Sequence, residues 1–265
     1  MRSLRCVLVV LALFGGCSSG RDGDDTSAAR EPAAPDELGL EVVAEHPHDP
    51  RAFSQGLVFA GDRLFESTGG YGTSDVREVD PETGEVLRSV ALPGVEFAEG
   101  LAYDGEALRQ LTWKEGTAHS WTLGLEPGNP ASYEGEGWGL AFDEGGDRWV
   151  QSDGSGTLTF RDADSFEATG AVRVRRGGTA VDELNELEVV GDALWANVWH
   201  STELLRIDLD SGAVTATVDA TELVPRDLDD PEAVLNGIAH RPGDPPGRLW
   251  LTGKRWPTTY VVDVG

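Results

Sequence analysis

The chain has 265 residues, 39% hydrophobic and 8% aromatic, with 21 basic against 47 acidic side chains and a formal net charge of −26. That length suits one large domain, and so acidic a surface repels nucleic acid and anionic lipid headgroups, which excludes both as charge-held partners. The excess is read as a device for solubility, or for a salty medium, rather than as an acidic binding face.

At the start, Arg2 and Arg5 precede an apolar run from Cys6 to Phe14 and small residues before Cys17. This pattern predicts an export leader over residues 1–16, too short to span a membrane as a folded helix. Leu13-Phe14-Gly15-Gly16-Cys17 resembles a bacterial lipoprotein cleavage box, with Cys17 lipidated as the new N-terminus; simple secretion is the alternative. A lipid anchor at Cys17 would be the chain's membrane contact, holding it on the cell envelope. Loss of Arg2 and Arg5 leaves 19 basic against 47 acidic groups, a charge of −28. Cys17 would then be the remaining cysteine, so no internal disulfide is expected. Residues 17–37 are small, polar and proline-containing, which predicts a disordered tether, and residues 38–265 are assigned to the folded domain.

From Leu40 onward the pattern is short β-rich runs separated by turn signals, without a long helical period. A strand, a Gly/Asp-rich turn and a second strand recur five times. The first strands open at Gln55-Gly56-Leu57, Glu99-Gly100-Leu101, Trp138-Gly139-Leu140, Asn185-Glu186-Leu187 and Asn236-Gly237-Ile238. The second strands are anchored by Leu64, Leu108, Trp149, Leu194 and Leu249, at spacings of 44, 41, 45 and 55. Asp80–Gly84 and Asp208–Gly212 read as hairpin turns that complete four strands per unit. Units of this size predict an all-β, five-bladed β-propeller. The last unit is one strand short, and the N-terminal run Leu40–Glu45 is placed there to close the ring. A β-sandwich or a propeller of another blade count is the runner-up.

Equivalent positions of a propeller meet around its axis. Gln55, Glu99, Trp138, Asn185 and Asn236 share one phase, and Gly69, Trp113, Gly154, Trp199 and Lys254 share a second, five residues after each second-strand anchor. Together they describe a pocket with one carboxylate, one ammonium, amides and three indoles. Blade packing explains a single tryptophan, but not why its phase neighbours are amide, acid and amine. Glu99 and Lys254 are flanked by small and apolar residues, so partial desolvation marks them as functional candidates. Asp153 reads as a turn residue. His46, His48 and Asp49 lack the companion spacing of a zinc site. No nucleophile elbow or phosphate loop is present in the sequence.

Ten segments carry a resemblance in order. They are Phe53–Leu57, Glu66–Gly72, Phe97–Gly100, Leu111–Lys114, Gly135–Gly139, Ser152–Ser155, Leu184–Glu188, Asn197–Trp199, Leu235–Ile238 and Thr252–Lys254. From about His48 to the C-terminus the chain resembles the plant-type and bacterial glutaminyl-peptide cyclotransferases. The resemblance implies a five-bladed propeller that cyclises the N-terminal glutamine of peptides to pyroglutamate and releases ammonia, with no cofactor and no catalytic metal. It implies Glu99 as catalytic acid and base, Lys254, Gln55 and Asn185 as polar pocket residues, and Phe53, Phe97, Trp113, Trp138 and Trp199 as walls. Ser54 stands where threonine is common, and Ala98 where glycine is common. The substrate carries its own nucleophile and electrophile, so a carboxylate that moves protons and donors that receive the oxyanion suffice. Lys254 is either such a donor or the group that keeps Glu99 ionised. The expected partners are peptides with N-terminal glutamine, the pocket is expected to tolerate varied following residues, and a monomer is expected. A metal-dependent lactonase-type propeller and a non-catalytic binding propeller remain alternatives at this point.

Overall fold

The structure, a computed structural model, describes residues 34–265; the expected leader over 1–16, the lipidation of Cys17 and the tether up to residue 33 lie outside the described residues. The β-rich runs form five antiparallel blades, each named here from the axis outward. Blade I is Ser54–Ala60, Arg63–Thr68, Asp75–Val79 and Val86–Ala91. Blade II is Ala98–Tyr103, Leu108–Thr112, Thr117–Trp121 and Ala131–Ser132. Blade III is Leu140–Asp143, Arg148–Gln151, Thr157–Asp162 and Ala168–Arg173. Blade IV is Leu184–Val190, Ala193–Val198, Glu203–Asp208 and Val214–Asp219. Blade V is Leu235–Ala239, Arg248–Gly253 and Thr258–Val264, with Leu40–Pro47 as its outermost strand. That closing strand pairs antiparallel from Leu40 opposite Val264 to Pro47 opposite Thr258, as the sequence predicted.

In blade I burial falls from axis to rim. Every residue of the inner strand Ser54–Ala60 is buried, whereas the outer strand Val86–Ala91 is almost wholly exposed. The core lies between blades: Val58, Phe65 and Val76 of blade I pack on Leu101, Leu108 and Trp121 of blade II. Truncating a side chain as buried as Phe65 or Trp149 to alanine would cost about 3–5 kcal/mol.

The repeated glycine after each phase residue has a steric cause. A Cβ on Gly100 would lie 2.5 Å from Leu140 N, and one on Gly139 would lie 2.0 Å from Asn185 O, so neighbouring inner strands touch through bare backbone. Blade IV departs from the pattern with Glu186, which is fully buried. Its carboxyl oxygens accept the backbone N–H groups of Leu57 (3.3 Å) and Ile238 (2.7 Å), joining the inner strands of blades I, IV and V. Burial, with Glu188 adding to it, pushes the Glu186 carboxyl well above the usual carboxylate range.

One feature departs from the sequence expectation and two lie beyond it. The propeller begins before residue 38: Asp36–Leu38 runs parallel to Val214–Asp219 as a fifth strand of blade IV, so the boundary at residue 37 falls inside a strand. The outer strand of blade II is two residues long, since Pro127 and Pro130 leave few donors to extend it. The extra length of the 55-residue last interval divides between the segment over residues 220–234 and the turn between Ala239 and Arg248.

Candidate active site

The starts of the inner strands and the ends of the second strands converge on a cavity of about 370 Å³ at one end of the axis. Phe53, Phe97, Trp113, Trp138 and Trp199 form its walls, and Gln55, Glu99, Asn185 and Lys254 its polar lining. All nine residues expected from the sequence therefore meet. Asn236, in the same phase, does not reach the cavity lining. It is fully buried behind Gln55, donating from Nδ2 to Gln55 Oε1 (3.0 Å) and to the carbonyl of Ser54 (2.8 Å).

That contact orients the Gln55 amide, and Gln55 Nε2 donates to Glu99 Oε1 at 3.1 Å. Among the described residues Glu99 Oε2 then has no hydrogen-bond partner. The main chain of Glu99 is fixed as well, its carbonyl accepting from the Ser67 hydroxyl, which in turn accepts from Gln110 Nε2 (2.8 Å). Burial raises the Glu99 carboxyl well above the usual range; the Lys254 charge opposes this, and Glu136 and Glu115 add to it. Lys254 is 4% exposed, and burial lowers its ammonium below the ordinary value against the attraction of Glu99 and Glu232. Its Nζ lies 4.9 Å from the centre of the Phe53 ring. Desolvation thus moves the acid and the amine toward each other in pKa, an arrangement suited to proton transfer.

The walls are held by groups outside the expected set. Glu136 Oε2 accepts both indole N–H groups, from Trp113 at 2.7 Å and Trp138 at 3.1 Å. Burial works against the Glu136 charge, yet these bonds and Lys114 hold its carboxyl below the usual range. Trp138 meets Trp199 edge-on at 5.6 Å, and Phe97 meets both Trp113 (5.7 Å) and Tyr71 (5.4 Å). The phase glycines are seats for these rings. A Cβ on Gly154 would lie 2.6 Å from Trp138 Cζ2, and one on Gly69 would lie 2.3 Å from Phe97 Cε1.

Behind the wall, His48 and Glu66 form a buried pair, Nε2 to Oε1 at 2.8 Å. His48 Nδ1 also faces the carbonyl of Trp256 (2.6 Å), so both ring nitrogens are placed to donate, which favours the imidazolium form. Ser54 Oγ donates to the same Glu66 oxygen at 2.6 Å, tying this pair to the segment that carries Phe53 and Gln55. His48 and Asp49, noted in the sequence for their ligand chemistry, are thus structural: Asp49 pairs with Arg51 and Arg77. Asp153 is the expected turn residue, its Oδ1 accepting from Ser155 N at 3.0 Å. Among the described residues, no three His, Cys, Asp or Glu side chains gather as a metal-ligand set.

Glu232 is the pocket residue that sequence reasoning missed. It sits on the loop over residues 220–234, outside the repeat phase, and the long last interval was the available signal. Its backbone N–H donates to Asp230 Oδ1 (2.9 Å), Asp230 pairs with Arg255, and the Arg255 guanidinium lies over Phe53.

A five-bladed propeller with one buried carboxyl, one buried ammonium and an aromatic enclosure on its axis defines a class of small-substrate propeller sites. The profile of the glutamine cyclotransferase family matches residues 9–264. A glutaminyl-peptide cyclotransferase of Arabidopsis thaliana is 41% identical over 233 residues, which is 84% of this chain and 70% of that protein. The crystal structure of a glutaminyl cyclase from Myxococcus xanthus superposes with a TM-score of 0.81 at 41% identity, covering 87% of this chain and 98% of that one. The chain belongs to the glutamine cyclotransferase family.

Proposed function

We propose that this chain is a glutaminyl-peptide cyclotransferase, converting the N-terminal glutamine of peptides to pyroglutamate with release of ammonia. The observation that carries the reading is Glu99, held through Oε1 by Gln55 with Oε2 free, beside Lys254 in the aromatic cavity. In the reaction, the substrate α-amine attacks its own γ-carboxamide carbon, a C–N bond forms, and the bond to the amide nitrogen breaks. Glu99 Oε2 takes the proton from the attacking nitrogen and delivers it to the departing ammonia, a role worth about 10²–10⁴ in rate. A carboxyl raised by burial is a stronger proton acceptor than an ordinary one, which brings it closer to the amine whose proton it takes. The indole and phenyl walls hold the glutamine side chain folded back on its amine.

Lys254 and Asn185 line the same cavity as Glu99 and serve as donors to the developing oxyanion, each such donor being worth about 3 kcal/mol in other enzymes. The test is mass spectrometry of a Gln-initiated peptide incubated with the purified domain, scored for loss of one ammonia. Binding without that loss would contradict the reading.

The leader pattern and Leu13–Cys17 support export and anchoring on the cell envelope through a lipid at Cys17, with a monomeric domain acting on exported peptides. Cys17→Ser would then move the protein from the membrane fraction to the soluble one.

A further inference from the structure

The nine expected lining residues belong to the walls and floor, but Glu232 occupies a different place. Its side chain is 46% exposed, whereas Glu99 and Lys254 are 6% and 4% exposed, so this carboxylate stands at the mouth. The cavity is near the small end of the roughly 300–1,000 Å³ of small-molecule sites, enough for a terminal residue, so the rest of a peptide must leave past the mouth.

The charges around that exit are unevenly matched. Lys114 lies 3.5 Å from Glu136, and Arg255 is taken by Asp230. Among the described residues Glu115 accepts only neutral donors, the Tyr71 hydroxyl and the backbone N–H groups of Phe97 and Lys114. Among the described residues Glu232 has His200 at 3.9 Å as its one ion-pair neighbour, while its own charge acts on Lys254 at the floor. Asp230, through the turn bond and its pair with Arg255, pins the loop to the Phe53 wall, so the carboxylate is held over the opening.

Resting on the cyclotransferase reading above, we infer that Glu232 is a specificity-determining residue that selects glutaminyl peptides carrying a cationic side chain just after the glutamine and disfavours those carrying an acidic one. A lysine or arginine there meets a half-exposed carboxylate that His200 only approaches at 3.9 Å, and the acidic surface of the whole chain draws such a peptide inward. An exposed pair of this kind contributes a few-fold, not orders of magnitude. The expected tolerance of following residues is thereby narrowed to tolerance of shape, with a bias of charge.

The experiment compares kcat/KM for Gln-Lys-Ala-amide, Gln-Ala-Ala-amide and Gln-Glu-Ala-amide at low salt. Wild type is expected to rank them Lys, Ala, Glu, with about 3-fold between neighbours, carried by KM, and to lose most of the ranking at high salt. Glu232→Gln should flatten the ranking and Glu232→Lys invert it. Glu82→Gln, on an exposed hairpin turn, should keep it. Because each ratio is measured within one enzyme, it does not depend on overall activity. An unchanged ranking in Glu232→Gln, or none in wild type, overturns the inference while leaving the cyclotransferase reading standing; absence of ammonia release from all three peptides overturns the reading itself.

Discussion

Gln55 Nε2 donates to Glu99 Oε1 at 3.1 Å, and this single bond divides the two carboxyl oxygens into one that is held and one that is free. Asn236 fixes the donor by occupying Gln55 Oε1, so the amide cannot turn over without breaking a second buried bond. Gln55→Leu should therefore lower kcat about 10- to 100-fold with a smaller change in KM, as expected when a proton-transfer group loses its aim. Steady-state kinetics on a Gln-initiated dipeptide checks this. An equal loss in Asn236→Leu would show that the orientation of the amide, not merely its presence, matters.

The pH profile should respond with opposite signs to two charges. Glu99 must be ionised to accept the first proton, so kcat/KM falls on the acid side as it protonates. Burial sets its raised value, Lys254 pulls it down and Glu136 pushes it up. Lys254→Met should move the acid limb to higher pH and, if the oxyanion loses a donor, lower kcat about 100-fold. Glu136→Gln should move the limb to lower pH. Limbs moving in the same direction would contradict this assignment of charges.

Gly154→Ala should disturb the wall without touching a polar group. The residue has φ of +78°, and its Cβ would lie 2.6 Å from the Trp138 ring. Trp138 must then shift, so KM should rise about 10-fold while stability falls by roughly 1–3 kcal/mol. Kinetics and thermal unfolding on the same preparation measure both.

The pair of His48 and Glu66 predicts a pH window for stability. His48 lies above its ordinary value of 6.5: burial opposes this, but the Glu66 charge and hydrogen bond outweigh it, so its contribution is complete below 6.5 and lost as pH rises through the folded value. Glu66 lies below its ordinary 4.5, burial again being outweighed by His48, so its contribution is complete above 4.5 and lost as pH falls through the folded value. The pair is therefore fully effective between about pH 4.5 and 6.5. In that window His48→Gln should lower Tm by roughly 10 °C, and the gap to wild type should narrow in alkaline solution. A gap that widens with pH would contradict the imidazolium assignment.

The fold was legible in the sequence because each blade repeats a backbone requirement. Glycine recurs where inner strands touch, and turn glycines such as Gly84 and Gly212, at φ of +70°, close the hairpins. The site was legible because Glu99, Lys254 and the three phase tryptophans interrupt that repetition at positions the geometry brings to one axis. What escaped lies off the repeat. Glu232 is carried by a loop of no fixed phase, and the parallel strand Asp36–Leu38 sits in a segment whose composition offers no strand signal. Glu136 stood inside a recognised segment, but its hold on two indoles depends on the facing of neighbouring blades.

The central claim is that Glu99 performs the proton transfers, and Glu99→Gln tests it most directly. Glutamine keeps the size and can still meet Gln55, but it cannot cycle a proton at neutral pH. Ammonia release from a Gln-initiated dipeptide should fall by about 10³ or more, with circular dichroism and thermal unfolding showing an intact propeller. Turnover within a few-fold of wild type in that folded variant would contradict the claim.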